Sequence, residues 1–300
     1  MNTLKQKWLD ALGAPSASET YGKITLISSF SREDYDAEWY RQENGADKYQ
    51  RVLMLIPKNF SGKLPAVAVP FYYPEAMLGF NPETNEILEK YKGIEMMLHL
   101  VKRGYIVASA ESYHLTYIDS KKDIEDFSRW QDAADALRND NPNYRGVGKL
   151  IDDTKLLINL IASDKRVDSS RIGIAGHSLG GKMAFYTGCL DDRISAILAN
   201  DFGFCWHQTN WDDDWYWGDY VKHLKEADFE HYDLLSFSQK PFCLIAGEFD
   251  TDDSYEHMLK ARGYDKDDIR LKFINHKTGH RPPMWALQEG YDFLDFWLKS

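Results

Sequence analysis

Apolar residues follow two patterns along the chain. Near the start, residues 21–29 and 49–56 are rich in β-branched and aromatic residues and lie between turn formers, which predicts two early strands with a turn at Asn44-Gly45. From residue 64 onward the apolar residues form short, nearly continuous runs, which is typical of strands buried on both faces. These runs cover residues 64–73, 105–110, 171–175, 194–198, 242–246 and 270–274.

Stretches with helical spacing alternate with these runs. The predicted helices cover residues 86–102, 150–162, 181–190 and 285–298. At the start of the chain, Leu4, Trp8, Leu9 and Leu12 recur at helical spacing among charged residues, which predicts an amphipathic N-terminal helix within residues 1–20. Because buried strands alternate with helices, the sequence predicts an α/β protein with a mostly parallel, doubly wound sheet flanked by helices.

One segment between two predicted core strands breaks this order. Residues 201–237 follow no clean period of 2 or 3.6, and such an excursion from the carboxyl edge of a sheet commonly forms a cap over a site. Its aromatic residues include Phe202, Phe204, Trp206, Trp211, Trp215, Tyr216, Trp217 and Tyr220. The sequence has no repeat, low-complexity tract or flexible linker, so we predict a single domain over residues 1–300 with a cap-like insertion at 201–237.

The charge balance narrows the range of partners. The 300 residues carry 36 Lys and Arg against 47 Asp and Glu, a formal net charge of −11, which disfavours nucleic acid and anionic membrane surfaces. The three cysteines are odd in number and widely spaced, so neither a disulfide framework nor a zinc site is expected. The start of the chain has no continuous apolar stretch typical of a signal peptide. We therefore expect a cytoplasmic protein with no nucleic-acid or membrane partner.

The strongest chemical signal is Gly176-His177-Ser178-Leu179-Gly180, in which a buried strand runs directly into a predicted helix. This G-x-S-x-G pattern holds a serine on a strained turn, with glycines that let the strand and the helix approach closely. The turn aims the Leu179 amide and the helix N-terminus at the position where an oxyanion would develop. The pattern therefore predicts Ser178 as a nucleophile.

A serine nucleophile needs a histidine base, and the base needs a carboxylate that fixes its tautomer. His280 follows the last predicted strand and precedes the final helix, where it can reach the serine, whereas His276 lies at the strand end and suits a structural role. Asp250, three residues after the glycine that follows an apolar strand, is the first choice for the acid, and Asp201, directly after the preceding strand, is the alternative. The same loop as Asp250 carries three further carboxylates that suit solvated surface charge: Glu248, Asp252 and Asp253.

From about Leu64 to the C-terminus the chain resembles α/β-hydrolases of the dienelactone hydrolase-like and acetyl xylan esterase-like group. The motifs that carry the resemblance occur in the family's order and are PAVAVPFYY, RGYIVASAES, RIGIAGHSLGGKMA, IAGEFD and TGHRPP. The resemblance implies the α/β-hydrolase fold, with Ser178 as nucleophile, His280 as base and Asp250 as acid.

The same resemblance bears on the oxyanion hole and on the substrate. One oxyanion amide would come from Leu179, and the second from Tyr72 or Tyr73, where relatives often have His-Gly. Some related sugar-ester esterases carry a lysine four residues after the serine, which Lys182 matches, and place their acid at the position of Asp201.

The predicted function is that of a serine carboxylic-ester hydrolase acting on short acyl or sugar esters. Flat rings beside polar groups suit sugars, although each ring of the insertion equally suits packing onto the core. The predicted substrate-binding residues are Lys182, Trp206, Trp211, Trp215 and Trp217. The expected partner is a small-molecule ester, with no metal or organic cofactor, and association into a homo-oligomer stays open. The alternatives are a peptidase or another C–N or C–C bond hydrolase on the same fold, or a non-catalytic ligand-binding homologue.

Overall fold

A nine-stranded sheet forms the centre of the protein in this computed structural model, which describes residues 3–13, 20–124 and 126–300. The strands are β1 (Ile24–Ser31), β2 (Tyr35–Gly45), β3 (Lys48–Pro57), β4 (Leu64–Ala68), β5 (Ile106–Ala110), β6 (Val167–His177), β7 (Ile194–Asn200), β8 (Phe242–Ala246) and β9 (Leu271–Asn275). Their order across the sheet is β1-β2-β3-β5-β4-β6-β7-β8-β9. In this order the first three pairings, β1-β2, β2-β3 and β3-β5, are antiparallel. The five that follow, from β5-β4 to β8-β9, are parallel, so the predicted mostly parallel sheet is confirmed.

Helices flank the sheet. They are α1 (Thr3–Leu12), α2 (Pro74–Leu78), α3 (Met96–Lys102), α4 (Tyr113–Thr116), α5 (Phe127–Asp140), α6 (Gly146–Ser163), α7 (Leu179–Leu190), α8 (Asp214–Trp217), α9 (Tyr220–Glu226), α10 (Asp233–Phe237), α11 (Asp252–Ala261) and α12 (Met284–Leu298). The helices predicted over residues 150–162, 181–190 and 285–298 are confirmed as α6, α7 and α12. In the described part of the chain, no helix has both the length and the apolar character needed to cross a membrane.

The helix predicted over residues 86–102 is wrong in its first half. The α-helix begins only at Met96. Gly93 has a φ of 92°, a left-handed conformation that a continuous right-handed helix cannot include. Ile87, at the start of the predicted helix, pairs instead with Phe80 in an isolated antiparallel bridge. A short 3₁₀ helix covers Glu89–Tyr91, so the apolar positions of this stretch belong to three separate local structures.

Alternate side chains of the strands enter two apolar cores, one on each face of the sheet. On β3, Val52 and Met54 pack into one core while Leu53 and Leu55 pack into the other, and all four are fully buried. Because both faces are covered, such strands have the nearly continuous apolar sequences from which they were predicted.

The insertion at 201–237 lies between β7 and β8 and contains the short helices α8, α9 and α10. Trp8 of α1 packs against it: this side chain is fully buried, and its ring centroid lies 5.0 Å from that of Phe229 and 6.2 Å from that of Trp217. The N-terminal helix predicted within residues 1–20 thus covers Thr3–Leu12, and residues 1–2 and 14–19 lie outside the described residues. Helix α1 therefore helps to hold the insertion against the body of the protein.

We expect Trp8→Ala to lower the free energy of unfolding by about 3 to 5 kcal/mol, because it removes a fully buried indole from an aromatic cluster that cannot close over the space. Denaturant unfolding monitored by fluorescence measures this change. Lys7→Ala, one residue away on the exposed face of α1, is the matched control and should change the free energy of unfolding by less than about 0.5 kcal/mol. Equal effects of the two substitutions would contradict the docking of α1 through Trp8.

Candidate active site

Ser178 lies on the sharp turn between β6 and α7. Its backbone has φ 55° and ψ −118°, a conformation that L-residues rarely adopt. The flanking glycines make this turn sterically feasible: a Cβ on Gly176 would lie 2.0 Å from the carbonyl oxygen of Gly180, and one on Gly180 would lie 2.2 Å from that of Pro70. The Ser178 N–H donates to the Asn200 carbonyl of β7 at 2.9 Å, which fixes the turn to the sheet. The predicted strand–turn–helix context of the serine is therefore present.

His280 lies in the loop between β9 and α12. Its Nδ1 is 2.7 Å from Oδ2 of Asp201, and its ring packs against those of His177 and Phe249, with centroid distances of 4.5 and 4.6 Å. His276 points elsewhere, because its Nδ1 is 2.7 Å from Oγ1 of Thr278 within the same loop. Since Nδ1 of His280 is engaged by the carboxylate, Nε2 is the ring nitrogen left to accept a proton.

Asp201 directly follows β7 and is fully buried. Its carboxylate accepts four consecutive backbone N–H groups, those of residues 247–250, at 2.9–3.1 Å. Burial acts to raise the pKa of this carboxyl, but the hydrogen bonds from His280 and from the backbone outweigh it and hold the pKa below its ordinary value. Asp201 therefore faces His280 as a carboxylate.

Asp250, the first choice for the acid from the sequence, faces away from His280. Its carboxylate accepts the backbone N–H groups of residues 202–204 at 2.7–3.1 Å and lies 3.2 Å from Oγ of Ser254. Burial raises the pKa of Asp250 to about 6. The structure thus corrects the preference: the carboxylate paired with His280 is that of Asp201, the alternative, because the backbone N–H groups of residues 202–204 hold the Asp250 carboxylate at their own loop.

The two aspartates hold each other's loops. The side chain of Asp201 accepts the backbone N–H groups of the segment that ends at Asp250, and the side chain of Asp250 accepts those of the segment that begins just after Asp201. We name this pair of exchanged contacts the aspartate brace. The aspartate brace fixes the two loop segments that surround the Asp201 carboxylate. Asp201 itself has an unfavourable φ of 41°.

A cavity of about 590 Å³ opens at this point, and its wall brings together Ser178, Leu179, His280 and Tyr72. Leu179 is the first residue of α7, so its N–H has no partner within the helix. Tyr73 lies away from the cavity, with its hydroxyl 3.3 Å from that of Tyr91. Of the two tyrosines left open by the sequence, Tyr72 is therefore the one that shares the cavity wall with Ser178.

Of the four predicted tryptophans, Trp215 is the one in the cavity wall. Trp206 and Trp211 are buried in the insertion, where their Nε1 groups donate to the carbonyls of Phe229 and Gly203. Trp217 is also buried and packs next to Trp8 of α1. For these three rings, packing of the insertion onto the core is the observed role.

Lys182 lies in the cavity wall and is nevertheless almost completely buried. Its Nζ donates to Oδ1 of Asn210 at 2.9 Å and lies 4.1 and 4.2 Å from the ring centroids of Trp211 and Tyr216. Burial lowers the pKa of this amine well below its usual value. No carboxylate of the described residues forms a salt bridge with it, so Lys182 retains donor capacity for a polar ligand.

Several residues of the cavity wall were not found from the sequence. They are Phe127, His207, Gln208, Thr209, Asn210, Tyr216 and Phe249. Phe127 begins α5, a helix that the sequence analysis did not predict, and residues 207–210 belong to the irregular insertion, where no periodicity gives side-chain directions. Of these seven residues, only Tyr216 had a signal in the sequence, as one of the clustered aromatic residues of the insertion. Across the described ranges, no group of three or more His, Cys, Asp or Glu side chains is arranged to hold a metal ion.

Two family models match parts of the sequence. The dienelactone hydrolase family matches residues 56–203, and the prolyl oligopeptidase family matches residues 146–281. The two matched regions overlap at the Ser178 turn and its strand. Among curated proteins, none matches the sequence significantly.

Solved structures similar to this chain include three sugar esterases. A glucuronoyl esterase from Teredinibacter turnerae is 15% identical with a TM-score of 0.69, covering 97% of this chain and 83% of that one. A glucuronoyl esterase from Solibacter usitatus is 13% identical with a TM-score of 0.68, covering 98% and 92%. An acetyl xylan esterase from Paenibacillus sp. R4 is 16% identical with a TM-score of 0.63, covering 99% and 95%. The resemblance indicated by the sequence motifs is thereby confirmed at the level of fold.

Proposed function

We propose that this protein, which has the α/β-hydrolase fold, is a serine esterase that cleaves carboxylic esters through Ser178, His280 and Asp201. The observation that carries the proposal is the combination of a serine on a strained turn with a histidine already paired to a buried carboxylate, both reaching one cavity. A serine that merely ended a strand would need neither the strain nor the histidine–carboxylate pair.

In the proposed mechanism, Nε2 of His280 takes the proton of the Ser178 hydroxyl as Oγ attacks the ester carbonyl carbon. The carbonyl oxygen gains the negative charge and accepts hydrogen bonds from the amides of Leu179 and Tyr72. The imidazolium then gives its proton to the leaving alkoxide, which departs as an alcohol and leaves an acyl-enzyme. A water molecule repeats the sequence, with His280 as base, and releases the carboxylic acid and the free serine.

Asp201 supports this cycle through its hydrogen bond to Nδ1 of His280. The bond keeps the proton on Nδ1, so that Nε2 is free to accept, and the negative carboxylate stabilises the imidazolium formed in each half-reaction. The aspartate brace, which fixes the Asp201 carboxylate by four backbone amides, leaves the histidine little freedom to turn away.

For the substrate, we propose short acyl esters or esters of sugars. One part of the cavity wall is aromatic, with Phe127, Trp215 and Tyr216, and another is polar, with residues 207–210 and Lys182. Aromatic faces beside hydrogen-bonding groups suit a sugar ring, which has apolar faces and a rim of hydroxyls. The sugar esterases among the similar structures support the same substrate class.

A panel of substrates tests the proposal. We expect hydrolysis of p-nitrophenyl acetate and of acetylated xylo-oligosaccharides, with the rate falling as the acyl chain lengthens. A methyl ester of a uronic acid tests whether the sugar is on the acyl side. A prolyl peptide p-nitroanilide tests the peptidase alternative raised by the prolyl oligopeptidase match, and turnover of that substrate alone would replace the esterase assignment. No turnover of any substrate, with ligand binding retained, would leave a non-catalytic binding protein.

Lys182 provides a separate test of the sugar assignment. We expect Lys182→Met to raise KM for acetylated sugars by about 10- to 100-fold, because a hydrogen-bond donor to a substrate oxygen is lost while the buried stem is kept. The KM for p-nitrophenyl acetate, which lacks sugar hydroxyls, should change little. Lys222→Met, an exposed lysine on α9, is the control for charge alone. A parallel rise in KM for both substrates would assign Lys182 to packing of the insertion.

A further inference from the structure

Ser112 lies just beyond β5 and is fully buried behind the loop that carries Tyr72. Its Oγ donates to the carbonyl of Phe71 at 2.6 Å, and its backbone N–H donates to the carbonyl of Tyr72 at 3.0 Å. Both distances are those of well-formed hydrogen bonds. A single residue therefore fixes the direction of two successive peptide groups in this loop.

Peptide geometry turns these contacts into a statement about Tyr72. In a planar trans peptide the C=O of one residue and the N–H of the next point in opposite directions. The carbonyl of Phe71 points at the Ser112 hydroxyl, so the N–H of Tyr72, in the same peptide, points away from Ser112. Tyr72 lies in the wall of the cavity, and Ser112 does not. The N–H is thus directed out of the buried layer that contains Ser112.

We propose that Ser112 is a positioning residue that aims the Tyr72 N–H at the oxyanion, an inference that rests on the proposed esterase function. Ser112 touches neither substrate nor Ser178. It acts by holding the peptide that joins Phe71 and Tyr72, so that the donor is already oriented before the tetrahedral intermediate forms. Without the hydroxyl, the Phe71 carbonyl loses this hydrogen bond, and the peptide that carries the Tyr72 N–H is held only through the Tyr72 carbonyl of the next peptide.

The chain offers a matched control three residues away. Ser109 on β5 is also fully buried, but its Oγ has no hydrogen-bond partner. Ser109→Ala and Ser112→Ala remove the same atom from the same buried segment, and only the second removes a contact to the loop of Tyr72. A general effect of losing a buried hydroxyl should appear in both variants.

The experiment measures kcat and KM for p-nitrophenyl acetate, together with the Kd of phenylboronate, whose tetrahedral adduct with Ser178 places an oxygen in the oxyanion position. We expect Ser112→Ala to lower kcat by about 10- to 100-fold with KM nearly unchanged, and to weaken phenylboronate binding by a similar factor, because a misaimed oxyanion donor acts only in the tetrahedral state. Ser109→Ala should match the wild type in both. Ser112→Cys, which keeps a weak donor in a similar volume, should be intermediate and serves if the alanine variant does not fold.

Two results would overturn the proposal. One is a kcat for folded Ser112→Ala within twofold of the wild type, and the other is an equal loss in Ser109→Ala. Either of these leaves the esterase assignment intact, because the wild type still hydrolyses the ester. A wild type without any ester turnover would instead remove the esterase assignment, and the inference about Ser112 with it.

Discussion

Replacing Ser178 with alanine should lower kcat for p-nitrophenyl acetate by about four to six orders of magnitude, because the covalent route through an acyl-enzyme is lost entirely. What remains should be the slow hydrolysis that the oxyanion amides and the bound geometry support without a nucleophile. The turn itself should survive, because alanine is no bulkier than serine at φ 55° and the flanking glycines are unchanged. We therefore expect the melting temperature to stay close to that of the wild type.

Labelling with a fluorophosphonate probe gives an independent readout of the same residue. The probe should modify the wild type at Ser178 and leave Ser178→Ala unlabelled. Ser195→Ala, on β7 and outside the cavity, is the control and should retain both labelling and turnover. Full activity of Ser178→Ala would falsify the nucleophile assignment, and absent labelling of a folded wild type would mark the turn as inactive.

The second large effect separates the two aspartates. We expect Asp201→Asn to lower kcat by about 10³- to 10⁴-fold, because the amide keeps the shape of the carboxylate but presents its NH₂ group to His280 and favours the wrong tautomer. Asp250→Asn should lower kcat by about tenfold or less, because Asp250 contacts the backbone of residues 202–204 and not the histidine. Steady-state kinetics of the two variants, measured together, decide between the two carboxylates.

Stability measurements complete this comparison. Both substitutions change a side chain of the aspartate brace, so both variants should unfold at lower denaturant concentration than the wild type. A loss of activity that came only from a loosened brace would be similar in the two variants. If Asp250→Asn instead showed the far larger fall in kcat, the pairing of His280 with Asp201 would not be the catalytic one.

The parallel part of the sheet could be predicted from the sequence because its strands are buried on both faces. β8 matches its predicted range of 242–246, and β9 begins one residue later than its apolar run. β2 was missed, although Tyr35, Ala37 and Trp39 alternate with more exposed residues, because half of the strand is polar and it does not form an apolar run. A strand with one solvent-exposed face is found by the alternation of apolar and polar residues, and a search for apolar runs misses it.

The residues of the site could be predicted where a sequence motif determines the backbone conformation. They could not be predicted where the direction of a side chain depends on the conformation of a loop. The serine turn has glycines that the geometry requires, and His280 has only a short loop in which to lie. The choice between Asp201 and Asp250 depends on which way each carboxylate points after its strand ends. That direction is set by backbone amides of the other loop, which are distant in sequence and leave no local pattern.

The aspartate brace also limits how this protein can be redesigned. The backbone N–H groups of each segment, 201–204 and 247–250, bind the aspartate side chain of the other segment. A change of length in either segment therefore moves both aspartates. Grafting the insertion of a relative onto this scaffold at residue 202 would replace the amides that hold Asp250 while keeping Asp250 itself. A functional chimera should therefore exchange the loop after β8 together with the insertion, as one transplanted unit.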